Sequence, residues 1–459
     1  MALESDVKTK LEKIVGKGDV RDEDFILAAY AVDMTEVVPS KADVVVLPES
    51  REEVSAILKL ATEKKIPVTP RASNTFGSGV GLANGGILLD LGKMDKIIKI
   101  DEDTMSVTAQ AGCSANKIFQ ELKKRGFDLP LQPWFGPGPS IGSWVSATGT
   151  GGRIARYGQA KSWVLGLEVV LPTGEILQTG SGMCENCQPF WNWTSNLGLD
   201  QLFHRSYGTL GVITEVTAGM IPLPETTSSI AYGFDDMQCF IKAAYNIQRA
   251  DAATDIEHED GDLYNHLLEM SEPYPFVLCV TNQGYKEEVK RKTEIASRLC
   301  EEAGGYSLPS KFAETTWKNA ATFDFRTAHF GRYAMIGGMC TYATYEKMYR
   351  IYKDTLDKYN IKNGWSAWSS WPAWVVGWVV AYYNPETQLE DLMKVKFEVM
   401  RKCIELPDFL PGPVREPYAN VMTNIKNMLD PSDIMNHKAW EGPASGSLFK
   451  MLKNLPLPD

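Results

Sequence analysis

A glycine-rich run that lies between two strands does most to limit how this chain can fold. Residues 42–50, ADVVVLPES, read as an apolar strand closed by Pro48. The next segment, REEVSAILKLATEKK, sets Val54, Ile57, Leu58 and Ala61 at helical spacing and ends on Lys64 and Lys65, cations suited to a helix C-terminus. IPVTP is a second short strand. This start is compatible with a parallel sheet. Then come Arg71-Ala72-Ser73-Asn74-Thr75-Phe76-Gly77-Ser78-Gly79-Val80-Gly81 and, directly after, another strand, GGILLDLGKM. A Rossmann fingerprint needs its glycines to open a helix. No helix follows here, so that fold is excluded.

A second run of Gly, Ser and Thr spans 136–158, GPGPSIGSWVSATGTGGRIARYG. Such residues let backbone approach a ligand closely, and successive N–H groups can cradle an anion. Ser73, Asn74, Thr75, Ser140, Ser143 and Thr148 add neutral hydrogen-bonding groups. Two such segments could hold a pyrophosphate without many lysines. Ordinary surface loops are the plainer alternative. The strand pair VLGLEVVLPTGEILQTG turns at Pro172-Thr173-Gly174-Glu175, and GVITEVTAGMIPLP closes the region.

From residue 225 helical segments (236–250, 286–303, 343–358, 387–404) alternate with apolar strands, FVLCVTNQG and VVGWVVAYY, which reads as an α+β unit. A last helix, YANVMTNIKNMLD, stops at Pro431. The expected organisation is 1–224 with a helical lead-in over residues 1–40, then 225–414, then a C-terminal return over 415–459.

The chain carries 47 basic and 58 acidic residues, a net charge of -11. No basic footprint for nucleic acid is present. The most apolar stretch, Trp371 to Tyr383, holds Pro372 and Gly377 and is shorter than the ~20 residues a membrane span needs. It is expected to be a buried strand. No signal peptide is read at the N-terminus, and eight scattered cysteines fit a reducing, cytoplasmic setting. Only Cys184 and Cys187 form a C-x-x-C, and no second pair completes a metal site.

PRASNTFGSGVG, then PGPSIGSWVSATGTGGRIARYGQAKSWVLGLEVVLPTGEIL, then YGTLGVITEVT, together resemble the FAD-binding domain of the vanillyl-alcohol oxidase / p-cresol methylhydroxylase superfamily. In length the chain is nearest its D-lactate and glycolate dehydrogenase-like branch. Leu429-Asp430-Pro431-Ser432-Asp433-Ile434-Met435-Asn436 is similar to the family's C-terminal DPxxIxNP, with His437 for the last proline. The resemblance implies a two-subdomain FAD-binding domain plus an α+β substrate domain with an antiparallel sheet. It implies FAD contacts from Arg71, Ala72, Ser73, Asn74, Thr75, Ser78 and Gly79. From the later segments it adds Pro139, Ser140, Gly142, Thr148, Gly149, Arg156, Tyr157, Gly158, Gly211 and Ile213. Tyr207 stands where the family often has an acid. The first loop has no histidine, so FAD is expected to be non-covalent, with His329, His204 and Tyr382 as the less favoured attachment points.

Hydride transfer to a flavin needs a proton acceptor and a partner for developing charge. Arg326, near Trp317, is a candidate carboxylate clamp, and His329 a candidate proton acceptor. The G-D-G-N-x-H and E-H-G-I-G elements of the hydroxy-acid branch are replaced by SSWPAWVVGWVVAYYN and FLPGPVREPYAN, which contain no histidine. No metal site is therefore expected. In their place stand Trp371, Trp374 and Trp378 as a candidate substrate pocket, with Tyr382 and Arg415 as further catalytic candidates. The expected activity is an FAD-linked dehydrogenase or oxidase acting on a small hydroxyl-bearing or benzylic substrate. Electrons would pass to oxygen or to a protein carrier such as an electron-transferring flavoprotein or an iron-sulfur subunit. A homodimer is one arrangement the resemblance allows. The alternatives are a divergent D-2-hydroxy-acid dehydrogenase, a non-redox flavin-dependent alkyl transferase, and a non-catalytic FAD-binding subunit.

Overall fold

The computed structural model describes residues 5–33, 40–75, 79–134, 138–147, 149–192, 197–268, 274–309, 312–314, 332–411 and 414–440. The first sheet contains β1 (Val20–Arg21), β2 (Val44–Val46), β3 (Val68–Arg71) and β4 (Ile87–Asp90). Its order is β1-β2-β4-β3, with β2, β4 and β3 mutually parallel. The helix Arg51–Lys64 makes the crossover between β2 and β3. Ser50 caps it by accepting from Glu53 N, and Glu53 in turn accepts from Glu49 N. Val54, Ile57, Leu58 and Ala61 are all buried, as their spacing requires.

The lead-in departs from a purely helical reading. Helices Ser5–Val15 and Asp24–Tyr30 are separated by β1, because Val20 pairs with Val46 at the sheet edge. A second sheet joins β5 (Ile97–Asp101), β6 (Ser106–Gln110), β8 (Val164–Val170), β9 (Ile176–Gln178) and β10 (Val212–Gly219) in the antiparallel order β5-β6-β10-β8-β9. The turn at 172–175 closes β8 onto β9, with Gly174 N donating to Leu171 O. Between β6 and β8, β7 (Phe127–Asp128) pairs instead with β11 (Ile221–Pro222).

The third sheet is antiparallel and larger. It contains β12 (Thr226–Phe234), β13 (Asp255–Asp260), β14 (Phe276–Gly284), β15 (Tyr306–Leu308), β16 (Arg332–Cys340), β17 (Lys362–Ser370), β18 (Trp374–Tyr383) and β19 (Phe409–Leu410). The order is β15-β12-β14-β13-β17-β18-β16-β19. The helices Met237–Arg249, Lys286–Glu302, Tyr342–Lys358 and Leu389–Cys403 cover one face, with a core that includes Phe240, Tyr345, Tyr352 and Trp365. The other face carries Trp368 and Val376, which belong to the same apolar cluster as the first two sheets.

Trp371 to Tyr383 is not one buried strand. Ser370 ends β17, and Pro372 turns the chain back into β18 at Trp374, which leaves Trp371 57% exposed. The helix Glu416–Leu429 then returns the chain to the first sheet, where Met435 bridges Val68 in parallel. Among the described residues no helix is long and apolar enough to cross a membrane.

Candidate functional site

The two glycine-rich segments meet over the C-terminal end of β3. Ser140 N donates to Ser73 Oγ at 2.9 Å, which ties the first loop to the second. Around this junction lies a cavity with about 910 Å3 of empty space, counted to its mouth. Arg71, Ala72, Asn74 and Thr75 line it from the first loop, and Pro139 and Gly142 from the second. Gly211 and Ile213 complete it at the start of β10. The same wall includes Ser143 of the second segment, and also Gly81, Trp144, Thr150, Tyr207 and Gly208, which the sequence did not assign to the site. The short helix Ile141–Ala147 is the reason: its side chains turn inward from a segment that reads as loop.

Other expected contacts serve the walls instead. Ser73 and Ser140 bond each other, and Gly79 N donates to Asp33 at 2.9 Å. Gly149 lies against Ala160, where a Cβ would come within 2.3 Å of the alanine methyl. Arg156 pairs with Glu288 of the third-sheet unit at 2.9 Å and lies over the Tyr157 ring. Gly158 lines a different cavity. Ser78 and Thr148 fall outside the described residues.

The cavity suits an anionic dinucleotide. Arg71 is the one charged side chain among the described lining residues, held by a bond to Tyr30 O at 2.9 Å and by the Tyr30 ring. Burial lowers its pKa, but a guanidinium keeps its charge. Asn74 sits at φ 46, and its Nδ2 is buried with no hydrogen-bond partner among the described residues. A buried donor without a partner costs about 1–3 kcal/mol, so this group is set for an acceptor that FAD can provide. Gly208, at φ 72, lets the backbone pass Pro70, where a Cβ would come within 2.3 Å. At Gly142 a Cβ would meet Ala111 Cβ at 2.5 Å and its carbonyl oxygen at 2.9 Å. Gly142→Ala is therefore expected to shift the Ile141–Ala147 helix into the cavity. FAD retention through gel filtration should fall at least tenfold, with the far-ultraviolet circular dichroism unchanged.

The C-terminal return holds the cavity floor. Asn436 Nδ2 donates to Tyr207 O at 2.6 Å and to Val80 O at 3.0 Å. Lys426, buried, bonds Thr209 O, Met435 O and the carboxylate of Asp430. Asp430 also accepts from Ile434 N and Met435 N. The D-P-x-x-I-x-N string thus acts as a clasp on the loop that carries Tyr207 and Gly208.

The third sheet presents an acidic face toward the first two. Asp255, Glu257 and Glu259 alternate on β13, and all are buried. Asp255 accepts from Arg153 N at 2.8 Å. The Arg153 guanidinium reaches Asp128 at 2.7 Å, Leu129 O and Gln283, joining the two halves of the chain. Glu257 lies opposite Trp368, which packs on Trp134 (4.3 Å between ring centres) and Trp378 (5.3 Å). Trp134 follows Pro133, a cavity-lining residue. Burial pushes the Asp255 carboxyl up to about 7, with Arg153 pulling the other way. Glu257 is raised well above the usual range by burial first, then by the charges of Asp255 and Glu259. Sequence periodicity gives no sign of this strand, because five of its six residues are ionisable.

Among the described residues, the expected catalytic and pocket positions do not gather at one point. Trp378 joins the tryptophan cluster, while Trp371 and Trp374 line the second cavity together with His204. Tyr382 packs with Leu263 and Val380. Burial and the Asp260 charge raise its pKa. Arg415 is exposed at the start of the helix Glu416–Leu429. Arg326 and His329 lie outside the described residues. Cys184 and Cys187 are both exposed on a surface turn.

Residues 42–180 match the family described as "FAD binding domain". The chain is 28% identical over 319 residues to glycolate oxidase subunit GlcD of Bacillus subtilis, covering 67% of this chain and 66% of that protein. It is 30% identical over 309 residues to a D-lactate dehydrogenase of Anaerostipes hadrus, covering 63% and 62%. The matched segments thus span just under two thirds of these relatives' lengths. The solved structure of p-cresol methylhydroxylase with substrate bound superposes with a TM-score of 0.83 at 17% identity, over 97% of this chain and 98% of that one. Residues 42–180 are an FAD binding domain set within the p-cresol methylhydroxylase fold, and FAD is the cofactor of this chain.

Proposed function

We propose that the chain is an FAD-dependent oxidoreductase acting on a small substrate at a carbon beside a hydroxyl group or an aromatic ring. The observation that carries this reading is the cavity itself, with Arg71 and the unpartnered Asn74 amide set among close-packed glycines. Bound there, FAD supplies hydride acceptance. Arg71, Asn74 and the backbone of both loops would hold its polar parts, and Ile213 and Tyr207 would border it. The names of the relatives, a glycolate oxidase subunit and a D-lactate dehydrogenase, support redox chemistry at a hydroxyl-bearing carbon.

The third-sheet unit would close the site and exclude water, with Trp134, Trp368 and Trp378 packed where it meets the FAD half. A proton acceptor works best when it titrates near the working pH. Asp255, raised to about 7, fits that requirement among the described groups. His329 and Arg326 remain the candidates from 315–331. Electrons would leave to oxygen or to a protein carrier, and FAD would be held without a covalent bond.

An anaerobic screen tests the reading. At least one 2-hydroxy acid, aromatic alcohol or alkylphenol should bleach the flavin absorbance within seconds to minutes. Retention of the oxidised spectrum with all three classes would contradict it.

A further inference from the structure

A second cavity opens where the FAD half meets the third-sheet unit, with about 1630 Å3 of empty space counted to its mouth. One wall comes from 158–162 and 201–205, the other from 339–341, 371–374 and 408–410. Along the loop from His204 to Gly208, the first two residues line this cavity and the last two line the FAD cavity. One segment therefore separates two distinct spaces.

Three properties set the second cavity apart. Its apolar wall stays exposed in the folded protein: Trp371 is 57% and Leu410 is 59% accessible. The Trp371 backbone is nevertheless fixed, its N–H donating to Ile154 O and its carbonyl accepting from Trp374 Nε1. Its cations are uncommitted: Lys161 and Arg205 have no ion-pair partner among the described residues, in a chain of net charge -11, and the one lining acid is Asp408. Its floor holds an unused polar atom, because His204 Nε2 is buried without a hydrogen-bond partner. Burial lowers the His204 pKa to about 4, so the ring is neutral at physiological pH and offers one donor or acceptor. Arg205 and Asp408 also sit at φ 57 and φ 56, a left-handed conformation that is costly for a long side chain such as Arg. Such strain persists where the surroundings hold it, and here both residues border the cavity.

We propose that this cavity is a second ligand site, separate from the FAD site, that takes a small anion with a flat or aliphatic body. The carboxylate or phosphate group would lie between Lys161 and Arg205, and the body against Trp371 and Trp374. A planar ring suits two indoles, and an anion suits a lining in which two cations face one acid, Asp408. The site does not depend on the reaction proposed above, since nothing in it needs a hydride donor.

The test is isothermal calorimetry on the FAD-loaded protein with benzoate, phenyl phosphate and benzyl alcohol. At least one anion should bind tenfold or more tightly than the neutral alcohol, and whichever anion binds more tightly identifies the head group. Lys161→Ala combined with Arg205→Asn, the latter chosen because Asn tolerates the left-handed backbone, should weaken anion binding at least tenfold. Trp371→Ala should weaken it at least fivefold. FAD content and the visible spectrum should be unchanged in both variants. Equal binding of anion and alcohol, no binding of either anion, or full anion affinity in the double variant would overturn the proposal. So would displacement of FAD by the anion. These outcomes are read without turnover, so they are independent of the flavin-bleaching screen.

Discussion

Asp430→Ala is expected to destabilise the FAD half by about 3 kcal/mol, the lower end of the cost of breaking a buried ion pair, because Asp433 stays within 3.4 Å of Lys426. Lys426 would remain buried, with the carbonyls of Thr209 and Met435 and the half-exposed Asp433 carboxylate at 3.4 Å near its ammonium group. The N–H groups of Ile434 and Met435 would lose their acceptor at the same time. Because Asn436 then no longer holds Val80 and Tyr207 in place, FAD retention should fall with stability. Urea unfolding followed by circular dichroism measures the first effect, and flavin absorbance after gel filtration the second. A change under 1 kcal/mol with full FAD content would show that the clasp does not hold the cavity.

The second large effect is loss of stability in acid through His258. This ring is fully buried on the helix-covered face of β13, its Nε2 paired with Ser369 Oγ at 2.7 Å and its Nδ1 unpartnered. Burial lowers its pKa to about 3, against an unfolded value near 6.5. Below pH 6.5 the unfolded chain takes up a proton that the folded chain refuses, so stability falls as pH falls toward 3. Above 6.5 this contribution is complete and flat. The limiting slope is about 1.4 kcal/mol per pH unit, which integrates to roughly 2 kcal/mol between pH 6.5 and 4.5. Asp255 and Glu257 act in the opposite sense. Their raised folded-state pKa values favour the folded state at low pH, and that contribution is lost as pH rises, for Asp255 toward 7. The His258 part is therefore isolated as the difference between wild type and His258→Asn in urea melts at each pH. The variant should be less sensitive to acid by that slope. Parallel curves for the two proteins would rule out His258 as the source.

Much of the FAD half was legible in the sequence because its signals are local. The 3.6-residue period over 51–65 and the Pro-Thr-Gly-Glu turn depend on near neighbours, and both formed where expected. The absence of a helix after Gly81 was enough to separate this fold from the Rossmann type. The site was read less completely. Gly142, Gly211 and Ile213 reached the cavity, but Tyr207, Gly208 and Trp144 line it through folding of distant segments. β13 was illegible for a different reason. DIEHED has the composition of a solvated loop, and only its position between β14 and β17 buries it. The tryptophans are a third case. Trp371, Trp374 and Trp378 were grouped as one pocket within a buried strand, but two strands and a proline turn send Trp365 to the helices, Trp368 and Trp378 to the FAD half, and Trp371 to the second cavity.

FAD is expected to bind between the Arg71–Thr75 and Pro139–Ala147 segments. A crystal structure of the flavin-loaded protein would decide this. Cofactor density should fill that cavity, with a polar atom of FAD within hydrogen-bonding distance of Asn74 Nδ2 and negative charge near Arg71. Density for FAD elsewhere, or an Asn74 amide still without a partner in the loaded protein, would contradict it.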